Sequence, residues 1–169
     1  PKISIIIPAH NEEKYIGRTL ESVLKAKELY VEPSLIEIIV VNNCCTDNTE
    51  KIAQGFGAKV IFEKERRIAT VRNKGVSIAE GDVVCFLDAD NLITPTIFNS
   101  IDGIMSSDKY IGGGTNIKFD RSSLGLFCTW CITVIAGRWL LGIAGGLIFT
   151  QKKTFEELKV WQEKIGISK

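Results

Sequence analysis

Asp88 and Asp90, separated by Ala89, follow directly on the apolar run Val83–Leu87. Two carboxylates this close repel one another unless a cation or a hydrogen-bond donor stands by. A divalent ion shared between Asp90 and a diphosphate would neutralise both partners. Mg2+ and Mn2+ favour such sites, which combine few carboxylates with phosphate oxygens. Asp and Asn are also ordinary turn residues, and an isolated Asp-x-Asp is more often a capped turn. Place separates the two readings. Pro8-Ala9-His10-Asn11-Glu12 follows the run Ile3–Ile7, and Asn42-Asn43-Cys44-Cys45-Thr46-Asp47 follows Ile36–Val41. If these runs are strands of one open α/β sheet, all three polar stretches lie at its carboxyl edge, where ligands bind in such sheets. That co-location favours the cation.

Other chemistries fail on spacing. No Gly-x-Gly-x-x-Gly follows a strand: Gly55-Phe56-Gly57 precedes one, and Val60 stands where the third glycine belongs. No Gly-Lys dipeptide exists, so there is no Walker-type phosphate loop. Cys128-Thr129-Trp130-Cys131 occurs once, inside an apolar stretch, and a zinc site needs two more ligands. These cysteines read as small buried residues. Cys44-Cys45 are better placed for oxidation than for metal. His10, the single histidine, is expected to make a loop hydrogen bond rather than act as a general base, since no partnering acid accompanies it. Glu63-Lys64-Glu65-Arg66-Arg67 reads as a solvated helix entry. Arg72 and Lys74 either screen a diphosphate or sit at the surface.

The elements that must position these residues are legible as alternation. Ile3–Ile7, Ile36–Val41, Lys59–Phe62 and Val83–Leu87 are Ile/Val-rich, as buried parallel strands are. Between them, Ile16, Leu20, Val23 and Leu24 share one helical face. Asp47 and Glu50 have capping-box spacing, and Gly55 and Gly57 end that short helix. Ile68, Val71, Gly75 and Val76 form a third stripe, closed by Gly81. Thr94-Pro95 is the expected N-cap and first residue of a helix reaching about Ser107. Strand-helix alternation predicts right-handed crossovers and an open, mostly parallel sheet flanked by helices. A strand over Tyr110–Phe119 carries Gly112–Gly114, which allow close approach of a ligand or backbone. The tail is helical around Phe155, Leu158 and Trp161.

A chain of 169 residues fits one domain and buries a core without disulfides. Lys plus Arg is 21 and Asp plus Glu is 20, a formal net charge of +1, so nothing points to nucleic acid. Five cysteines in a chain this size point to a reducing, cytoplasmic compartment. The opening Pro-Lys-Ile-Ser-Ile-Ile-Ile-Pro is too short an apolar run for a signal peptide. Leu124–Thr150 contains one charge, Arg138, and is long enough to span a bilayer. Gly137, Gly142, Gly145 and Gly146 break it, which predicts a helix over Leu124–Leu141, packed on the domain or lying on a membrane surface, then a strand over Gly146–Thr150.

With these residues in hand, the chain resembles the family 2 glycosyltransferases of GT-A fold. Ile3-Ser4-Ile5-Ile6-Ile7-Pro8-Ala9-His10-Asn11-Glu12-Glu13 is similar to the family's opening strand and Pro-x-x-Asn-Glu loop. Glu37–Asp47 resembles its second strand and acidic loop, and Ala69–Gly75 its Arg-Asn-x-Gly helix. Gly81–Asp90 resembles the strand that ends in Asp-x-Asp. The resemblance implies a Rossmann-like GT-A domain with a nucleotide-sugar-binding half over 1–92 and a partial acceptor half, cut short of the family's length, over 93–169. It implies transfer of a sugar from a nucleotide-diphosphate donor with inversion, using Mg2+ or Mn2+. By the same resemblance Pro8, Ala9 and Glu12 line the nucleoside, Asn43 faces the base and Arg72 lies near the nucleotide. Asp88-Ala89-Asp90 meets the donor, Asp88 reaching ribose or phosphate and Asp90 holding the metal. The acceptor would be lipid-linked or a polysaccharide, met at the inner face of a membrane. Asn42-Asn43-Cys44-Cys45 replaces the family's aspartates, glycine and serine, so the contact to the base is uncharged. The later Gly-Gly-Phe-Asp-Glu and Glu-Asp stretches are absent, and no catalytic base is assigned. A nucleotide-sugar-binding module without catalysis is the alternative. A nucleotidyltransferase is disfavoured because no glycine- and basic-rich loop follows the first strand.

Overall fold

The computed structural model describes residues 1–107, 109–115 and 146–164, with side chains as far as 158. The predicted helix Leu124–Leu141, the pair Cys128 and Cys131, and the side chain of Trp161 lie outside the described residues. Four strands, β1 (Ile3–Ala9), β2 (Ile36–Asn42), β3 (Lys59–Phe62) and β4 (Val83–Leu87), run parallel. Two more, β5 (Gly112–Gly114) and β6 (Leu147–Gln151), complete a sheet of order β3-β2-β1-β4-β6-β5. β6 is antiparallel to both neighbours, with Leu87 opposite Leu147 and Val83 opposite Gln151. β1 is flanked on both sides, and its residues Ile3, Ile5, Ile6 and Ile7 are fully buried. That accounts for a strand apolar on both faces.

Strand alternation sends successive side chains to opposite faces. On one face Ile5, Ile7, Val40, Cys85 and Leu87 pack with three helices: α1 (Ile16–Glu28), α2 (Thr49–Gly55) and α4 (Ile97–Met105). On the other, Ile6, Val41, Val84 and Phe86 pack with α3 (Ile68–Ile78) and with Phe155 of α5 (Lys152–Lys164). α1 forms because Ile16, Leu20 and Val23 repeat at helical spacing and are all buried. Each such burial is worth about 1.5–3 kcal/mol. Its first turn is capped by backbone: Glu12 O accepts from Tyr15 N and Ile16 N, both at 2.9 Å. Lys25 and Lys27 in the last turn suit the negative end of the helix dipole. No helix among the described residues is long and apolar enough to cross a membrane.

Several boundaries differ from expectation. α4 starts at Ile97 with Thr96 as N-cap, because Thr94–Ile97 first closes a turn (Ile97 N to Thr94 O, 3.1 Å). The capping box on α2 does not form. Asn48 is the N-cap, Asp47 Oδ1 accepts from Thr49 N at 3.0 Å, and Glu50 turns back to Asn42. Ile68 opens α3 but is exposed, so the buried stripe there is Val71, Gly75 and Val76. Glu63–Arg67 has no regular structure and leads into α3 with Arg67 as its N-cap, the helix entry expected, and among the described residues the glycine strand covers Gly112–Gly114.

Candidate active site at the carboxyl edge

β4 is buried along its whole length and delivers Asp88, Ala89 and Asp90 to the carboxyl edge. Ala89 is buried between its two exposed neighbours. Two bonds fix the turn. Thr19 Oγ1, from the buried face of α1, donates to Ala89 O at 2.7 Å, and Asn91 N donates to Asp88 O at 3.1 Å. Asn91 Nδ2 also reaches Gly146 O at 3.4 Å, tying the turn to the start of β6. Asp88 keeps the face parity of Phe86, the side that α3 covers. There Arg72 Nη2 lies 3.3 Å from Asp88 Oδ1, and the guanidinium carbon stands 5.7 Å from the centroid of the Phe86 ring. The side chains of Arg72 and Asp88 are 32% and 53% exposed, so both are open to a ligand. Asp90 has no ion pair or side-chain hydrogen bond among the described residues.

The β1 and β2 loops are laced to each other. Asn43 N donates to Ala9 O at 2.9 Å, and His10 Nδ1 hydrogen-bonds Asn43 O at 2.6 Å. His10 thus makes the loop hydrogen bond its setting predicts. Thr46 N donates to Asn11 Oδ1 at 2.8 Å, Glu12 N to Thr49 Oγ1 at 2.8 Å, and Glu13 N to Asp47 Oδ2 at 3.1 Å. Asn11 and Cys44 both take left-handed backbone conformations, φ 57° and 56°. Asn tolerates this; for Cys it is strain of the kind held at functional loops. Pro8 and Ala9 belong to β1 itself, and the Ala9 side chain is buried in the core, so they offer the edge mainly backbone.

The Asn43 amide donates to Glu63 O at 2.8 Å and Glu65 O at 3.0 Å, on the β3–α3 connection. Both donors are thereby used, and Oδ1 alone remains to accept from a ligand. Asn42 is buried and structural, its Oδ1 accepting from Cys45 N at 2.8 Å. Cys44 and Cys45 point to different loops, Cys44 Sγ toward Lys64 O at 3.5 Å and Cys45 Sγ toward Ala9 O at 3.3 Å.

Electrostatics join the loops. The Glu12 carboxyl titrates above its ordinary value because it is partly buried and because Asp90 and Asp47 add negative charge, which His10 only partly offsets. Glu12 and Asp90 therefore share one acidic surrounding, and among the described residues no lysine or arginine is paired to either. That uncompensated charge fits a cation. Among the described residues no group of three His, Cys, Asp or Glu side chains could hold a metal. A metal at Asp90 would need further oxygens, such as those of a diphosphate. A separate cavity of about 460 Å³ lies at the opposite, amino edge of the sheet, among Glu80, Asp82, Lys152 and Glu156. It contains none of the residues predicted to act and holds charges of both signs, so it is distinct from this site.

Comparisons with known proteins agree with the geometry. The sequence profile described as Glycosyl transferase family 2 matches residues 4–120. The Bacillus subtilis protein named "Probable glycosyltransferase YdaM" is 31% identical over 97% of this chain and 44% of its own length. Staphylococcus aureus TarS, a poly(ribitol-phosphate) beta-N-acetylglucosaminyltransferase, is 34% identical over 54% of this chain and 17% of its own length. The crystal structure of TarS 1-349 in complex with UDP-GlcNAc superposes with a TM-score of 0.64 at 27% identity, over 73% of this chain and 37% of that one. The mannosyltransferase PcManGT from Pyrobaculum calidifontis, in complex with GDP-Man and Mn2+, shares the fold with a TM-score of 0.71 at 21% identity, over 94% of this chain and 46% of that one. The fold is GT-A, and the chain spans less than half the length of these relatives.

Proposed function

This chain belongs to glycosyl transferase family 2, and we propose that it binds a nucleotide-diphosphate sugar along the carboxyl edge of the sheet and transfers the sugar, with inversion, to an acceptor hydroxyl. One observation carries the reading. The Asp88-Ala89-Asp90 turn is held by Thr19 beside the laced β1 and β2 loops, with Arg72 on one carboxylate and, among the described residues, no cationic side chain on the other. In this reading Glu12 and the β1 backbone line the nucleoside, and Asn43 Oδ1 accepts from a base N–H while Glu63 and Glu65 hold its amide in place. Arg72 and Asp88 meet ribose and phosphate. Asp90 is the protein ligand for Mg2+ or Mn2+, which offsets charge gathering on the leaving diphosphate. That UDP-GlcNAc and GDP-Man occupy the similar structures named above supports the donor class.

The acceptor we propose is lipid-linked or a polysaccharide, met at the cytoplasmic face of a membrane. The poly(ribitol-phosphate) in the name of TarS and the apolar character of residues 124–141 support it. Calorimetry with UDP and GDP, each with and without Mn2+, tests the site. Asp90→Ala is expected to remove the manganese-dependent part of the affinity and leave the fold intact. Affinity that Asp90→Ala does not change, with manganese present, overturns the assignment.

A further inference from the structure

Arg72 is held from an unexpected direction. Its Nε is buried and has no hydrogen-bond partner among the described residues. An unmet buried donor is costly, and its guanidinium must be held by other means. The Phe86 ring provides one, lying 5.7 Å from the guanidinium carbon, within the range of a cation–π contact. Phe86 is itself backed by Phe155 of α5, with ring centroids 5.3 Å apart and planes tilted by 43°. α5 is pinned where it begins. Lys152 N donates to Asp82 O at 2.8 Å, and Lys152 Nζ donates to Ala79 O at 2.7 Å, just past the end of α3. Residues three apart on a helix share a face, so the anchored Lys152 sets Phe155 over the ring.

We propose that Phe155 is a positioning residue for Arg72: by fixing the Phe86 ring it sets the guanidinium at the Asp88 carboxylate, where the nucleotide diphosphate arrives. The inference rests on the nucleotide-sugar reading above and adds to it a residue from the far side of β6. The helix after β6 thereby reports its place to the donor site through three stacked side chains, Phe155, Phe86 and Arg72. The expected weakening on losing the shelf is about three- to tenfold in affinity, the scale of a partly desolvated cation–π contact.

A double-mutant cycle on the full chain tests this, with Mn2+ plus UDP and Mn2+ plus GDP as probes and the melting temperature recorded for every variant. Phe155→Ala is expected to weaken binding in the parent and to have no further effect in an Arg72→Ala background. Phe155→Leu, which keeps an apolar side chain on Phe86, is expected to fold and to show a smaller loss with the same dependence on Arg72. It carries the comparison if the alanine variant does not fold. Losses that simply add in the double variant, or unchanged affinity in the single ones, overturn the role of Phe155 while leaving the donor site standing. A parent that binds neither probe overturns both.

Discussion

Glu12 and Asp90 come from loops far apart in sequence, and their mutual influence is the most local expression of the site. Burial raises the Glu12 pKa from its ordinary 4.5, and the charges of Asp90 and Asp47 raise it further. The folded chain therefore holds that proton more tightly than the unfolded chain. Through this group, stability falls as pH rises from about 4.5 through the raised value, the reverse of a salt-bridged carboxylate. Asp90→Asn removes one repelling charge and is expected to bring the Glu12 titration partway back toward 4.5, with the share due to burial remaining. Carbon-13 NMR of the glutamate carboxyls across the pH range checks it, and a Glu12 titration that does not move shows that the two groups are not neighbours. At this scale the sequence exposed the acidic pair but not what holds it. Thr19 lies on the apolar face of α1, and its partner is a backbone carbonyl of Ala89, so no pattern of residue types announces the bond. The amide of Asn43 is likewise spent on two carbonyls, of Glu63 and Glu65, inside what reads as a solvated charge run.

The elements were far more legible, because burial on both faces leaves a run of Ile and Val that little else produces. The four parallel strands fall within two residues of the apolar runs. Helix ends were less so, since they depend on which of several adjacent polar residues bonds the backbone. Asp47, Asn48 and Thr49 could each begin α2; Asn48 O accepts the first intrahelical bond, from Ile52 N at 3.0 Å, while the side-chain bond to the opening turn comes from Asp47. α3 shows how an element sets a functional side chain. Gly75 lets it approach the sheet so closely that an added Cβ would collide with Ile6 Cγ2 and press on Val41 Cγ2 at 3.1 Å. Arg72 sits about one turn earlier on the same helix. Gly75→Ala should gain about 1 kcal/mol in helix propensity and lose about 1–3 kcal/mol to overpacking. The net expectation is a lower urea midpoint, together with weaker UDP or GDP binding because α3 moves outward with Arg72. A midpoint equal to or above the parent's would show that the sheet yields there. The amino edge is fixed by charge instead. Glu37 is nearly buried, which alone would raise its pKa, but hydrogen bonds from Ser4, the Glu80 backbone N–H and Lys59 outweigh burial and hold it below the ordinary value.

As a whole the molecule is polar, with structural charge at one edge of the sheet and the proposed donor site at the other. Glu80 illustrates the first edge: Lys2, then Lys59, holds its carboxylate down to about 2, on an exposed side chain that salt will screen. The second edge gathers loops after β1, β2 and β4, and a donor bound there would bridge all three. This division makes a prediction for hydrogen exchange. Amides that exchange only through global unfolding should slow uniformly when ligand is added, by an amount that mass action sets at about 2.7 kcal/mol for a hundredfold excess over Kd. Amides that exchange by local opening report only their own surroundings. In the presence of Mn2+ with UDP or GDP, whichever binds, local protection is expected at residues 9–13, 43–49 and 88–91, the loops that the bonds Asn43 N to Ala9 O and Thr19 Oγ1 to Ala89 O hold in place. Residues 80–82, beside the cavity at the amino edge, should keep the local exchange rates of the free chain. Mass spectrometry of exchanged peptides separates the two edges, since the loops and the amino-edge turn fall in different segments. Protection concentrated at 80–82, with the three loops unchanged, would move the ligand to the other edge and overturn the site.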